Sequence, residues 1–184
     1  MNEPAPVLPS RRTHAADFLV RPCDEGDMEQ VQAIYAHHVL TGTASYEDTP
    51  PSLDEMHARL AAVRSHRCPY LVAVRSSRVI GFAYAGAFRT RSAYRFTVEN
   101  TVYLDAAAGR CGIGRTLMEQ VIADCTAAGF RQMIAVIGGE NPGSIAFHAA
   151  MGFRTAGVME RTGCKFGRWL DTTLMQRDLT PGQK

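Results

Sequence analysis

With 184 residues, 46% of them hydrophobic, the chain has enough material for one domain with a full core rather than two small ones. Its net charge of +2 comes from lysines and arginines scattered among nearly as many acidic residues, which excludes the basic stripe of a nucleic-acid binder. Five unclustered cysteines with no C-x-x-C pair argue against a disulfide framework or a structural zinc site, and no apolar run reaches membrane-spanning length.

Residues 1–16 hold three prolines and the pair Arg11, Arg12 without the apolar core of a signal peptide. They read as a disordered extension, with residues 17–184 as a single domain suited to a reducing cytoplasm. Residues 18–21 read as a strand and 26–41 as a helix. A loop then leads to a second helix, announced by Ser52 and Glu55 as a capping box. Residues 70–74 and 79–88 flank the Ser76, Ser77 turn as a hairpin, and residues 96–104 form the next strand.

The stretch from Glu99 to Leu117 is the most informative. Val102, Tyr103 and Leu104 end an apolar strand, and Gly109, Gly112 and Gly114 permit a tight turn. Ile113, Leu117, Val121 and Cys125 then recur every four residues on one helical face, and Gly129 stops that helix. Backbone N–H groups at such a helix start face an anion. The order G-x-x-G-x-G is neither a dinucleotide fingerprint nor a nucleoside-triphosphate loop, because Arg115 and Thr116 stand where the latter needs Lys and Ser or Thr. Downstream, residues 134–137 form an apolar strand and Asn141 and Pro142 break it. Residues 144–151 form a short helix ending at Gly152 and Phe153, and residues 154–159 and 170–179 are the last two strands.

The glycine turn, and the spacing of Asn141, Ser144, His148, Gly152 and Phe153 after it, resemble the two signatures of the GNAT N-acetyltransferase family. The segments GFAYAGAFRTRSAYRFTVENTVYL, AVIGGENPGSIAFHAAMGF and GCKFGRWLD are similar to its phosphinothricin and methionine sulfoximine acetyltransferase branch, over residues 18–179. The resemblance implies an α/β GNAT fold, with a mixed central sheet of about six to seven strands flanked by about four helices. It implies acetyl-CoA as co-substrate and no metal. The acetyl-CoA would be held by Val102, Tyr103, Leu104, Arg110, Cys111, Gly112, Ile113, Gly114, Arg115, Asn141 and Ser144. Gly109 departs from the family's Gln or Arg, and His148 occupies a place that is often Tyr. Lys165, Phe166, Arg168 and Trp169 match a segment that lies at a subunit contact in the branch, which implies a homodimer; the single Trp is alternatively a core anchor.

Acyl transfer from a thioester to an amine needs a neutral amine, a site for the oxyanion and a proton for the leaving thiolate. Glu99 alternates onto the face of Thr101 and Tyr103 and is the candidate base, in the branch's E-x-T-V-Y context; the alternative is a strand-end carboxylate paired with Arg91 or Arg95. A backbone N–H around Val102 to Leu104 is the candidate oxyanion donor. His148, with an ordinary pKa near ~6.5, is the candidate proton source, or else a packed residue bonded to a backbone carbonyl. Phe88, Arg89, Arg91, Tyr94 and Phe96, with Asn100, Thr101, Lys165 and Arg168, form a candidate acceptor pocket whose cations suit an amino-acid-like substrate with an acidic or polar head; Arg89 and Arg91 are alternatively solvated loop charges. A basic acceptor side disfavours polyamines and aminoglycosides by repulsion. Other readings are acetylation of a protein N-terminus or another amine, or an acyl-CoA-binding sensor without turnover.

Overall fold

The computed structural model describes residues 13–15, 18–108 and 111–180. In chain order they form β1 (Thr13–Ala15), β2 (Phe18–Pro22), α1 (Met28–Thr41), α2 (Leu53–Ser65), β3 (Tyr70–Arg75), β4 (Arg78–Ala87), β5 (Thr97–Leu104), α3 (Ile113–Ala127), β6 (Gln132–Gly138), α4 (Pro142–Ala150), β7 (Arg154–Lys165) and β8 (Arg168–Asp178). The strands make one sheet in the order β1-β2-β3-β4-β5-β6-β8-β7. Every neighbouring pair is antiparallel except β5 with β6, which α3 joins as a crossover. Four consecutive buried residues, Tyr70 to Ala73, show that the middle of the sheet is covered on both faces.

Local chemistry accounts for the elements. The hairpin between β3 and β4 turns through Ser76 and Ser77, both at positive φ, as a two-residue hairpin connection requires. In α3, Ile113, Leu117, Met118, Val121 and Cys125 are buried on the sheet-facing side, and Gly129 at φ 89° follows its end.

Three expectations change. Thr13–Ala15 pairs with β2 and extends the sheet to eight strands, so part of the lead read as disordered has a partner; residues 1–12 lie outside the described residues. At α2, Ser52 Oγ accepts from the Glu55 N–H at 3.2 Å, but the Glu55 carboxylate turns to Arg59 Nε at 3.0 Å, leaving half of the expected capping box. The reciprocal box is at Asp24 and Asp27, before α1. Finally, β7 runs to Lys165 rather than ending near Met159. Register shifts in the polar stretch around Arg161 bend it past β8, and they hid the strand by breaking the alternation of apolar residues.

Candidate active site

The sheet opens where its one parallel pair ends. β5 and β6 pair from Thr97 with Gln132 to Glu99 with Ile134, and no further. Beyond Glu99 the strands separate, leaving the β6-facing backbone groups of β5 without a strand partner. A cavity of about 770 Å³ fills the gap, lined by residues 99–104 of β5, residues 135–138 of β6, and Asn141, Ser144 and His148 around α4. Both faces of β5 contribute because the opening lies beside the strand rather than on one face.

Glu99 sits at the apex of this gap, half buried, and burial raises its carboxyl above the ordinary carboxylate range. Among the described residues it makes no ion pair, so pairing with Arg91 or Arg95 is excluded. Thr101, on the same face, pairs in register with Tyr84 of β4. Asn100, on the other face, is buried and lies 3.0 Å from His148 Nε2 through its Nδ2. His148 Nδ1 lies 2.8 Å from the Ser144 carbonyl. Both ring nitrogens of His148 are thus taken up inside the protein, and burial lowers its pKa against the opposing pull of that carbonyl.

At the far end of β5, Leu104 joins the cavity to the start of α3. Gly112 precedes the helix at φ 77°, and a Cβ there would meet nothing within 4 Å, so the backbone is open to close approach. The first α3 bond runs from Thr116 N–H to the Gly112 carbonyl, which leaves the N–H groups of Ile113, Gly114 and Arg115 without an intrahelical acceptor. This end fits a pyrophosphate. The Ile113 side chain is buried in the core, so only its N–H is available there. Cys111 is exposed, the Arg115 guanidinium is 3.7 Å from Glu119, and Arg110 lies outside the described residues. Asn141 caps α4, its Oδ1 accepting from the Ser144 N–H at 3.0 Å, so its amide nitrogen is what remains for a ligand.

The acceptor side differs from expectation. Phe88, Arg89 and Tyr94 do cluster, with Arg89 5.0 Å and 5.5 Å from the two ring centroids, but they and the exposed Arg91 lie outside the cavity lining of their own chain. The pull of the aromatic faces holds the Arg89 guanidinium on that loop. Lys165 is buried and donates from Nζ to the Ser45 carbonyl at 2.7 Å, which makes it an anchor for the loop rather than a ligand-facing cation. Arg168 is exposed beside Trp169, itself 65% exposed and so no core anchor. In their place the cavity is walled by Tyr35, His38, Ser45, Tyr46, Glu47, Arg59 and Tyr84. Arg59 bonds Glu47 at 2.8 Å, Tyr35 bonds Ser45 Oγ at 2.9 Å, and His38 donates from Nε2 to the Leu104 carbonyl at 2.7 Å. With Glu47, Glu99 and one arginine, this lining is not basic, and it does not repel a polycationic acceptor. The one signal for this wall was Ser45, Tyr46 and Glu47 in a loop, where binding residues concentrate.

A model of the GNAT acetyltransferase domain matches residues 20–174. The chain belongs to the GNAT acetyltransferase family. It is 51% identical over 164 residues to the phosphinothricin N-acetyltransferase of Alcaligenes faecalis, spanning 89% of this chain and 83% of that protein. It is 35% identical over 160 residues to the L-methionine sulfoximine/L-methionine sulfone acetyltransferase of Salmonella typhimurium, covering 87% of this chain and 94% of that one. The crystal structure of a phosphinothricin acetyltransferase from Sinorhizobium meliloti in complex with acetyl-CoA superposes with a TM-score of 0.87 at 49% identity, over 91% of each chain. Membership makes this GNAT chain an acyl-CoA-dependent N-acetyltransferase with acetyl-CoA as co-substrate. Among its described residues, no helix is long and apolar enough to cross a membrane.

Proposed function

We propose that this enzyme moves acetyl from acetyl-CoA to the amine of a small amino-acid-like acceptor of the phosphinothricin, methionine sulfoximine or methionine sulfone type, by direct transfer in a ternary complex with Glu99 as general base. The observation that carries this reading is the Glu99 carboxylate, free of ion pairs among the described residues and raised by burial, at the apex of a cavity whose far end is lined by Leu104, which packs against Gly114 at the start of α3. The relatives' names supply the acceptor class.

Acetyl-CoA supplies the acetyl thioester. Backbone N–H groups of Ile113, Gly114 and Arg115 hold its pyrophosphate, and Asn141 and Ser144 flank the arm. Glu99, directly or through one water, takes a proton from the acceptor's ammonium to free its lone pair; the amine then attacks the thioester carbonyl, and the intermediate gives up a second N–H proton to solvent as the C–S bond breaks. An unpaired N–H of β5 between Val102 and Leu104 stabilises the charge that develops on the carbonyl oxygen. A thiolate with a pKa near ~8.5 takes its proton from solvent without a dedicated donor. Among the described residues Arg59 is the one guanidinium in the cavity lining, and it meets the acceptor's acidic head first.

The same reading takes the enzyme to be a cytoplasmic homodimer. Its five cysteines are free, and the β7–β8 hairpin exposes Val158, Met159, Phe166 and Trp169. A second subunit there is the means by which Arg89, Arg91 or Arg168 would reach a cavity.

Thiol release from acetyl-CoA tests the function, with a panel of methionine sulfoximine, methionine sulfone, phosphinothricin, common amino acids, spermidine, an aminoglycoside and an alanine-led peptide. Turnover confined to the first three is expected. Preference for spermidine or the peptide would move the acceptor class, and acetyl-CoA binding with silence across the panel would favour a sensor.

A further inference from the structure

Asn100 is the first residue of β5 past the last rung shared with β6, and His148 projects from α4, the helix that follows β6. Their hydrogen bond at 3.0 Å crosses the mouth of the gap beside Glu99. Its direction is fixed by the groups behind it. The Ser144 carbonyl accepts only and, at 2.8 Å, lies closer to His148 Nδ1 than the Ser144 hydroxyl at 3.3 Å, so Nδ1 carries a proton. In a neutral ring Nε2 is then a lone pair, and the Asn100 amide donates to it. The rest of the ring is enclosed by Phe147 and Phe153, edge-on at 5.2 and 5.1 Å, and Asn100 Nδ2 also lies 3.8 Å from Met118 Sδ. Among the described residues no carboxylate or cation bonds the ring; Glu99, the neighbour of Asn100, points to the other face of the strand.

We infer that Asn100 is a positioning residue of the transfer reaction: it holds His148 as the neutral tautomer protonated at Nδ1, so that the ring ties α4 to β5 beside the base instead of supplying a proton. A second observation agrees. Among the described residues, Asn100 Oδ1 is buried with no hydrogen-bond partner. Turning the amide over would place that oxygen on Nε2, which only a doubly protonated ring could answer. Amide orientation and ring charge are therefore locked together, and an orphaned Oδ1 is the signature of the neutral state. The inference rests on the acetyl-transfer reading for its kinetic consequence, but its tautomer is measurable without turnover.

The test begins with nitrogen NMR of the histidine rings in the intact enzyme, His148 being assigned by its loss in His148→Phe. At pH 7 a protonated Nδ1 and an unprotonated Nε2 are expected; a proton on Nε2 would overturn the inference. The kinetic arm compares Asn100→Leu, His148→Phe and the double variant, each checked for acetyl-CoA binding and a cooperative melt. A tie predicts that each single change lowers kcat by about tenfold and that the double loses no more than either, because both act through one bond. A proton donor predicts instead a loss of 10²-fold or more for His148→Phe alone, well beyond that of Asn100→Leu, and this would also overturn the inference. If a variant fails to melt cooperatively, the NMR of the unaltered enzyme still decides. Failure on every acceptor in the panel would sink the proposed substrate class and leave the tautomer result standing.

Discussion

The ring of Tyr46 occupies the place where a side chain on Gly163 would have to go: a Cβ built there would lie 2.7 Å from Tyr46 Cζ and 2.9 Å from Cδ2. The Tyr46 hydroxyl donates to the Asp171 carbonyl at 2.9 Å and accepts from the Gly139 N–H at 3.3 Å, and Lys165 holds the Ser45 carbonyl next to it. The loop between α1 and α2 is thereby clasped onto β6, β7 and β8, and this loop carries one wall of the acceptor side.

Gly163→Ala should therefore unseat Tyr46 and loosen that wall. We expect the acceptor KM to rise about tenfold, equivalent to ~1.4 kcal/mol of acceptor binding. The acetyl-CoA affinity, set at the start of α3, should stay within about twofold of its original value. Steady-state kinetics with the preferred acceptor and calorimetric titration with acetyl-CoA separate the two, and equal losses in both would show that the clasp does not serve the acceptor side specifically.

Glu99→Gln should lower kcat by about 10²-fold or more at neutral pH with acetyl-CoA binding nearly intact, since it removes a proton acceptor but little volume. A general base works only when deprotonated, so kcat/KM of the unaltered enzyme should fall on the acid side. Burial places that limb above the ordinary glutamate value of about 4.3. A pH–rate profile for both forms checks this; equal activity at every pH would remove Glu99 from the mechanism.

The legible part of this molecule is the part whose chemistry lives in backbone. A left-handed residue at Gly112 and a capped start at Asn141 demand particular residue types, so the turn into α3 and the start of α4 could be read directly. The acceptor wall could not, because Tyr35, Glu47, Arg59 and Tyr84 come from α1, a loop, α2 and β4, and no spacing rule relates them. Charge type was equally silent about location. Arg89 finds two aromatic faces on its own loop and Lys165 finds a buried carbonyl, and nothing in the residues alone separates these fates from a ligand contact. His148 was legible as a site residue but not as to its partner, since Asn100 lies 48 positions away in sequence.

Gly112→Val tests the phosphate end. A Cβ at this position meets nothing within 4 Å among the described residues. The change does impose a left-handed conformation on a β-branched residue, which costs roughly 1–2 kcal/mol, and it fills the approach to the N–H groups. Acetyl-CoA affinity should drop by tenfold or more while the chain still melts cooperatively. Unchanged affinity by calorimetry would mean that the pyrophosphate does not sit at this helix start.

The ion pair between Arg21 and Asp27 gives a prediction about stability rather than turnover. Burial by itself would raise the Asp27 carboxyl, but two Arg21 bonds at 2.6 and 2.7 Å, together with the Asp24 N–H at 2.9 Å, outweigh it and hold the carboxyl below its ordinary range. A carboxylate depressed in the folded state contributes stability above its unfolded pKa of about 3.9 and loses it as pH falls through the lower folded value. Asp27→Asn should then cost about 2 kcal/mol at pH 7, the usual range for hydrogen bonds to a charged group. Urea midpoints of the two proteins should converge as the pH falls from about 4 through the lower folded value, at which Asp27 takes up its proton and the pair is lost in the unaltered enzyme as well. A difference that persists undiminished to pH 2 would mean that Asp27 acts as a helix cap independent of its charge.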